Sequence, residues 1–358
     1  MHVRLAAMLQ AIVNGRIFDG EILLHQQAVL IEDQRVVSVV DQENVPAGAQ
    51  VFDLQGGTLV PGFIDLQVNG GGGVLFNATP TVDCLRVISD AHRAFGTTGF
   101  LPTLFTANFE TMRAAVAAVK QAITEGVPGI LGIHLEGPFL NPERKGVHDA
   151  RKFCTLDEAG FDLVTSLKIG ITLVTLAPEM TTPAMIRRLV EQGVIVSAGH
   201  SAADYTQTCA ALAAGVSGFT HLYNAMTPLQ SREPGMVGAA LEDKESWFGI
   251  IADGYHMHPA AFRIAVAAKI PGGAVLVTDA MPTVGSQVES FVLDGETVFA
   301  RDGRITNAAG ILAGSDLDML SAVNNAARFA HIDWFEAVRM AGLYPARALG
   351  LDGELGTI

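Results

Sequence analysis

A carboxylate and two histidines stand at the ends of apolar runs in this sequence. Glu136 ends the run GILGIHLEG, His200 ends VIVSAGHS and His221 lies within GFTHLYNAM. One carboxylate and two imidazoles can bind a divalent metal and leave a coordination position open for water. Taken singly, the Glu has the alternative of a structural ion pair and each His that of a hydrogen-bonded structural residue. Their recurrence at three strand ends favours a metal site.

Two further side chains could take part in chemistry beside that metal. Asp279 ends the run AVLVTDAM, where a carboxylate can take a proton from water and return it to a leaving nitrogen. Its alternative is a cap on the following loop. His148 follows the Gly-containing turn Arg144–Val147 and could polarise a substrate carbonyl, or could be a surface histidine without a role.

The segments that must position these residues alternate between apolar strand-like runs and Ala-rich helical stretches, which is the pattern of a parallel sheet built from βα units. Eight runs can be counted: LVPGFIDLQ, TGFLPTLF, GILGIHLEG, GITLVTLAP, GVIVSAGHS, GFTHLYNA, WFGIIADGYH and AVLVTDAM. The candidate residues follow the C-terminal ends of these runs, namely Gln67, Glu136, His200, His221, His256 and Asp279. We therefore predict an α/β fold, a (β/α)8 TIM-like barrel, with a doubly wound open sheet as the alternative.

The chain divides into two predicted domains. Short β-like runs before residue 60, AIVNGRIF, AVLIEDQRVVSVV and QVFDLQGGTLV, predict a small β module over 1–59, joined by 344–358, and the barrel occupies 60–343. Helices are expected at 111–124, 184–192, 203–214, 317–329 and 333–341. A β-hairpin insertion is expected at 291–306.

Composition excludes several classes of function. Hydrophobic residues make up 49% of the 358 residues and charged ones 17%, which argues against disorder. The formal net charge of −14 disfavours nucleic acid or an anionic membrane as a partner, although a few local cations could hold a small anion. The three cysteines are widely spaced, which favours a reducing cytoplasm, and MHVRLAAMLQAIV lacks a cleavage pattern. We expect a soluble cytoplasmic protein.

Several long motifs carry a specific resemblance. The strings are PGFIDLQVNGGGG, HLEGPFLNPERKGVHD, SAGHS, THLYNAMTPL, IADGYHMHP, LVTDAM and AGS, spread over 14–358. With them the sequence resembles the N-acetylglucosamine-6-phosphate deacetylase family, in the one-metal branch of the amidohydrolase superfamily. The resemblance implies hydrolysis of the acetamide of N-acetyl-D-glucosamine 6-phosphate to D-glucosamine 6-phosphate and acetate, in amino-sugar catabolism or recycling. It also implies a homodimer or higher homo-oligomer.

The same resemblance implies residue roles. One divalent metal per subunit, zinc or alternatively ferrous iron, would be held by Glu136, His200 and His221, with Asp279 as catalytic acid/base and His148 beside the oxyanion. Arg232 and His256 would hold the phosphate. The implied substrate contacts are Val147, His148, Asn224, Ala225, Arg232, Asp253, Gly254, Tyr255, His256, Leu312, Ala313 and Gly314.

Two departures from the family pattern qualify these implications. Gln67 and Asn69 stand where most superfamily members have His-x-His for a second metal, and neutral amides are poor ligands, so these are vestigial second-metal positions. The sequence ends at GELGTI, where the family continues into the last strands of a β-sandwich module built from both chain ends. We therefore expect an incomplete C-terminal part of that module, with an exposed strand edge.

Two other functions stay open at this point. Another hydrolase on the same barrel, such as a cyclic amidase or a deaminase, would share the fold and ligands, because these alone do not choose the substrate. A non-catalytic sugar-phosphate binder or an inactive fragment is the second alternative, suggested by the missing His-x-His and the short C-terminus. The presence of Asp279 together with all three predicted ligands weighs against the binder.

Overall fold

The computed structural model describes residues 9–269 and 271–358. Its strands are β1 (Gln10–Val13), β2 (Arg16–Phe18), β3 (Leu23–Leu24), β4 (Gln27–Glu32), β5 (Arg35–Asp41), β6 (Gln50–Asp53), β7 (Thr58–Leu59), β8 (Phe63–Val68), β9 (Gly70–Gly71), β10 (Val74–Leu75), β11 (Thr97–Phe105), β12 (Gly132–Glu136), β13 (Ile171–Leu176), β14 (Ile195–Ala198), β15 (Gly218–Phe219), β16 (Trp247–Ile251), β17 (Ala274–Val277), β18 (Ser290–Leu293), β19 (Glu296–Arg301), β20 (Arg304–Asn307) and β21 (Leu312–Ser315). Its helices are α1 (Val82–Arg93), α2 (Phe109–Thr124), α3 (Glu158–Val164), α4 (Pro183–Glu191), α5 (Tyr205–Ala214), α6 (Gly235–Glu242), α7 (Pro259–Lys269), α8 (Met319–Ala330), α9 (Trp334–Ala341) and α10 (Leu343–Ala348).

Eight parallel strands form the centre of the fold. They are hydrogen-bonded in the order β8-β11-β12-β13-β14-β15-β16-β17, so each of the eight predicted runs contributes one strand. The first and last strands approach each other just beyond their ends, where Val68 and Ala280 form a parallel bridge and the Asp279 N–H donates to the Gln67 carbonyl at 2.9 Å. The predicted (β/α)8 barrel is confirmed, and the alternative of a doubly wound open sheet is wrong.

The strands are buried on both faces because helices cover the outside and side chains fill the inside. Every residue of β8 and of β12 is buried. Since alternate residues of a strand point to opposite faces, the inward series on β8 is Asp65 and Gln67, and on β12 it is His134 and Glu136. The polar residues among these runs therefore lie inside the barrel.

The predicted helices are confirmed with small shifts at their ends. The one predicted at 203–214 begins two residues later, as α5, because Asp204 is its N-cap. The Asp204 carboxylate accepts from the Gln207 N–H at 2.7 Å and the Gln207 side chain accepts from the Asp204 N–H at 3.0 Å. This reciprocal capping box satisfies N–H groups that have no partner inside the helix. Within the described ranges, no helix is both long enough and apolar enough to cross a membrane.

The predicted hairpin insertion is confirmed and extends further than expected. Strands β18 to β21 form an antiparallel four-stranded sheet, and β21 leads back to the barrel through a bridge between Ala280 and Ser315. Leu293, Val298 and Ile305 of this sheet are buried against Phe105 and Met281. The insertion therefore packs over the end of the barrel at which the strands finish. An ion pair of 2.7 Å between Lys152 Nζ and Asp294 Oδ1 links it to the segment after β12.

The N-terminal strands form two small sheets separate from the barrel. Their orders are β5-β4-β1-β6 and β3-β2-β7. Residues 349–358 contain no strand, but they reach this region, where the Ile358 N–H donates to the Asp19 carbonyl at 2.9 Å. Residues 1–8, which the prediction placed in the β module, lie outside the described ranges. The predicted division at residue 60 stays a prediction.

Candidate functional site

A cavity of about 360 Å³ opens at the C-terminal ends of the barrel strands. Its volume lies in the range of small-molecule sites in proteins. It is lined by Asn69, Phe105, Glu136, Gly146, Val147, His148, His200, His221, Asn224, Ala225, His256, Asp279, Met281, Leu293, Gly310, Ile311, Leu312 and Gly314. The end of the barrel at which the predicted catalytic residues were expected is thus the end that carries the cavity.

The side chains of Glu136, His200 and His221 converge in this cavity. His221 Nε2 lies 3.0 Å and His200 Nε2 3.4 Å from the same oxygen, Glu136 Oε1, and the two Nε2 atoms are 3.1 Å apart. All three residues are buried. Two imidazole nitrogens and a carboxylate oxygen directed at one point form a donor set that suits a single divalent ion.

The tautomer of His200 follows from its other ring nitrogen. His200 Nδ1 lies 2.8 Å from the carbonyl oxygen of Arg144, which can only accept a hydrogen bond. Nδ1 must therefore carry the proton, and in the neutral ring Nε2 then presents a lone pair toward Glu136 and His221. A backbone carbonyl that fixes the outer nitrogen of a metal-binding histidine is the usual supporting contact of such sites.

The electrostatics of the cluster favour a cation beside Glu136. Burial alone would raise the pKa of this carboxyl, but its close contacts with His200 and His221 outweigh burial and hold the pKa well below its usual range. For His221, burial lowers the pKa, yet the hydrogen bond and the charge of Glu136 outweigh it and raise the pKa overall. A positive charge is thus stabilised between these side chains, either as a proton or as a metal ion.

His148 lies closer to this centre than its predicted role requires. Glu136, His148 and His200 each offer a ligand atom, and these three atoms lie within 4.8 Å of one another. The His148 and His200 rings are 4.4 Å apart between centroids, and His148 Nδ1 lies 2.8 Å from Thr106 Oγ1. His221 has the shorter contacts to Glu136 and His200, so we keep it in the proposed ligand set and His148 outside it. Burial, and next the charge of His200, lower the pKa of His148 to about 3, so its ring is neutral near pH 7.

Three of the central residues have an unusual backbone. His200, His221 and Asp279 have φ values of 47°, 37° and 53°, in the left-handed region that residues other than glycine rarely adopt. Each lies within two residues after its strand, at the point where the chain turns away. Such conformations cost about 1–3 kcal/mol each and recur at functional sites as well as in turns. Here they mark the ends of β14, β15 and β17 at the cavity.

Asp279 is buried and held by two amides. Its Oδ1 accepts from Gln67 Nε2 at 3.1 Å and from Asn69 Nδ2 at 2.6 Å. Burial, followed by the charge of Glu136, raises the pKa of Asp279 from 3.8 to about 6. Asp279 thus lines the same cavity as the donor set and has a carboxyl group suited to gain and lose a proton near neutral pH.

The predicted substrate contacts divide into two groups. Val147, His148, Asn224, Ala225, His256, Leu312 and Gly314 line the cavity. Arg232 is exposed and lies outside the lining, as do Asp253, Gly254, Tyr255 and Ala313. Asp253 still acts on the cavity indirectly, because its Oδ2 lies 2.6 Å from His256 Nδ1. Tyr255 is 40% exposed, and its hydroxyl donates to the Asp302 carbonyl of the insertion.

Sequence reasoning missed six of the lining residues. Phe105 ends the predicted second strand, but the strand-end rule selected polar residues and therefore passed over it. Gly310 and Ile311 directly precede the predicted contact loop, and Gly146 lies within a quoted motif. Leu293 comes from the insertion, and no pattern in the sequence indicated that this sheet would cover the cavity. The missed residues are Phe105, Gly146, Met281, Leu293, Gly310 and Ile311.

Comparisons with known proteins agree with this geometry. The model of the amidohydrolase family matches residues 58–358, and that of the NagA composite domain matches residues 9–59. The chain is 49% identical to an N-acetylgalactosamine-6-phosphate deacetylase of Shewanella sp. (strain ANA-3), over 82% of this chain and 75% of that protein. It is 38% identical to an N-acetylglucosamine-6-phosphate deacetylase of Haemophilus influenzae, over 98% of this chain and 92% of that protein.

Solved structures give the same result. A crystal structure of N-acetylglucosamine-6-phosphate deacetylase from Pasteurella multocida has a TM-score of 0.95 and 37% identity, covering 98% of this chain and 92% of that one. A mutant of the enzyme from Mycobacterium smegmatis, in complex with N-acetyl-D-glucosamine-6-phosphate, has a TM-score of 0.89 and 32% identity, with the same coverage. The chain therefore belongs to the amidohydrolase family and, within it, to the N-acetylglucosamine-6-phosphate deacetylase family.

Proposed function

We propose that this amidohydrolase removes the acetyl group from N-acetyl-D-glucosamine 6-phosphate and releases D-glucosamine 6-phosphate and acetate. The observation that carries the proposal is the convergence of Glu136, His200 and His221 in one cavity, with Asp279 facing them. This arrangement combines a metal-binding donor set with a carboxyl group that can transfer a proton. A non-catalytic binder would need neither.

The residues fit one divalent ion. Glu136, His200 and His221 would hold it, since the proton on His200 Nδ1 leaves Nε2 as a ligand atom. An ion bound there would supply Lewis-acid activation of a water molecule and of the acetamide carbonyl. We propose zinc, which suits one carboxylate and two imidazoles, with ferrous iron as the alternative.

The protein's own groups would perform the proton transfers. Asp279 takes the proton of the attacking water and delivers it to the amide nitrogen as the carbon–nitrogen bond breaks. His148 donates a hydrogen bond to the carbonyl oxygen on which negative charge develops. That role requires the proton on Nε2 of His148, with the Thr106 hydroxyl donating to Nδ1 across the 2.8 Å contact.

The phosphate would be recognised by His256 and Arg232. His256 lines the cavity and is oriented by Asp253, whereas Arg232 is exposed outside the lining. Arg232→Ala should raise KM for the phosphorylated sugar with little change in kcat, and the exposed Arg113 on α2 offers a matched control, Arg113→Ala. Equal kinetic constants in the two variants would remove Arg232 from the phosphate site.

The 4-epimer, N-acetyl-D-galactosamine 6-phosphate, is a second candidate substrate. The observation that favours it is the 49% identity to a deacetylase of that epimer. Acetate release should be measured with both phosphorylated epimers and with unphosphorylated N-acetylglucosamine. A kcat/KM at least tenfold higher for the glucosamine epimer supports the first proposal, the reverse order supports the second, and no release from either contradicts both.

The remaining parts of the proposal concern organisation and setting. We propose a homodimer or higher homo-oligomer, a cytoplasmic location and a role in amino-sugar catabolism or recycling. Cys84, Cys154 and Cys209 form no disulfide within the described ranges, which agrees with a reducing compartment. We also propose a division into a β module of 1–59 with 344–358 and a barrel of 60–343; the two family matches meet at residues 58–59, next to the proposed boundary.

A further inference from the structure

We propose that Gln67 and Asn69 are working positioning residues and not vestiges of a second metal site. In this inference Gln67 spaces the metal-binding carboxylate of Glu136 from the proton-transferring carboxylate of Asp279, and Asn69 helps to fix the orientation of Asp279. It rests on the proposed function, because it assigns a part in that reaction to two residues that would otherwise have none.

Gln67 makes contact with both carboxylates through one nitrogen. Its Nε2 lies 3.3 Å from Glu136 Oε2 and 3.1 Å from Asp279 Oδ1. An amide nitrogen carries two hydrogens and no lone pair for a metal, so its donor capacity is matched by these two acceptors. Gln67 is 2% exposed, and within the described ranges no other acceptor competes for its nitrogen.

Asn69 adds a second donor to the same oxygen of Asp279. Its Nδ2 lies 2.6 Å from Asp279 Oδ1, so both amides bind that one atom. No donor from residues 9–269 or 271–358 reaches Oδ2 of Asp279. The two donors therefore fix the rotation of the carboxylate and leave Oδ2 as the oxygen that exchanges the proton.

The backbone beneath this contact is fixed as well. The Asp279 N–H donates to the Gln67 carbonyl at 2.9 Å, and the Asn69 N–H donates to the Ala280 carbonyl at 2.9 Å. One layer below, Thr278 Oγ1 donates to Asp65 Oδ2 at 2.5 Å. The backbones of β8 and of the segment after β17 are thus held in register, which keeps the Cα atoms of Gln67 and Asn69 at a fixed distance from that of Asp279.

The amides of Gln67 and Asn69 also reduce the repulsion between the carboxylates of Glu136 and Asp279. Glu136 and Asp279 are both buried acids, and the charge of Glu136 raises the pKa of Asp279. A buried carboxylate without a donor is costly, and a displaced reacting group loses rate steeply with distance. Removal of the Gln67 amide should therefore impair proton transfer more than substrate binding.

The test is substitution of Gln67 by Met, which keeps the length of the side chain and removes both donors, and by Glu, which keeps its shape. We expect kcat to fall about 10-fold to 100-fold, KM to change by less than about threefold, and zinc content to stay at one ion per chain. Thr97→Val is the matched control, since Thr97 Oγ1 is buried and has no hydrogen-bond partner within the described ranges. It should leave kcat unchanged.

Two readouts separate positioning from a general structural role. In an Asp279→Asn background, Gln67→Met should lower kcat no further, because its effect passes through Asp279. A crystal structure of Gln67→Met without metal should show the Asp279 carboxylate rotated or in two conformers, while Thr97→Val leaves it in place.

Several results would overturn the inference. The first is a kcat within twofold of the wild type in both Gln67 variants, and the second is a lower rate that is explained by loss of zinc. The third is an additive loss of kcat when Gln67→Met is combined with Asp279→Asn. The fourth is an unchanged Asp279 conformer in the crystal structure of Gln67→Met. If the wild-type protein releases no acetate, the proposed function fails, but the crystallographic comparison still decides whether Gln67 positions Asp279.

Discussion

Substitution of Asp279 by Asn separates the chemistry of this site from its folding. An Asn side chain has the same shape, and its oxygen can still accept from Gln67 and Asn69 as Asp279 Oδ1 does now. The proposed ligands Glu136, His200 and His221 keep their contacts with one another. What is lost is the group that takes the proton from water. Because general acid–base catalysis contributes about 10²-fold to 10⁴-fold, we expect kcat to fall by that factor with metal content unchanged.

The same substitution should stabilise the metal-free protein. Burial, and then the charge of Glu136, raises the pKa of Asp279 from 3.8 to about 6 in the folded chain. The folded state then binds this proton more tightly than the unfolded state, so the carboxyl group destabilises the fold increasingly as the pH rises from 3.8 to about 6 and fully above it. A difference of about 2 pH units, at about 1.4 kcal/mol each, corresponds to about 3 kcal/mol. Asn avoids this cost.

The assays follow directly. Acetate release at saturating substrate gives kcat, and metal analysis gives ions per chain. Urea unfolding of protein treated with a chelator should show the variant more stable than the wild type at pH 8, by up to about 3 kcal/mol, with the difference vanishing near pH 4. Turnover within threefold of the wild type would refute the acid/base role. A variant that is less stable than the wild type at pH 8 would refute the claim that the charged, buried carboxylate of Asp279 destabilises the fold.

Two further predictions concern the elements around the site. Lys152→Met removes the ion pair of 2.7 Å with Asp294. Because both side chains are about a quarter exposed, we expect the free energy of unfolding in urea to fall by at most about 1 kcal/mol. A fall of more than about 2 kcal/mol would contradict this estimate of a weak surface pair. Asp204→Ala breaks the capping box of α5 and should lower the free energy of unfolding by about 1 kcal/mol without changing kcat. Asp204→Asn should lower it less, because Asn also caps helices well. Equal losses in the two variants would show that capping is not the cause.

The barrel could be predicted from the sequence because its strands carry two independent signals. Each run is apolar enough to be buried on both faces, and each polar residue at its end has no place in an apolar core. Glu136, His200 and His221 were found in this way, and the structure brings all three together. The strand β15 is only two residues long, yet its run was still found because Leu222 and Tyr223 extend the pattern of GFTHLYNA beyond the hydrogen-bonded part.

Features that depend on contacts distant in sequence could not be predicted in the same way. The insertion was expected as a hairpin, but nothing in its pattern shows that Leu293 would cover the cavity. The left-handed backbone of His200, His221 and Asp279 leaves only a weak signal in residue type, since His and Asp adopt it more often than most residues but still rarely. The position of Gln67 between two carboxylates likewise appears only when β8, β12 and β17 are placed side by side.

Metal titration tests the central claim most directly. Protein treated with a chelator should be inactive, and zinc added back should restore acetate release from N-acetylglucosamine 6-phosphate, with activity and bound zinc both saturating at one ion per chain. Glu136→Gln should weaken zinc binding in the same titration, since it removes the only carboxylate of the proposed ligand set. Full activity in metal-free protein, or saturation at two ions per chain, would contradict a one-metal centre of Glu136, His200 and His221.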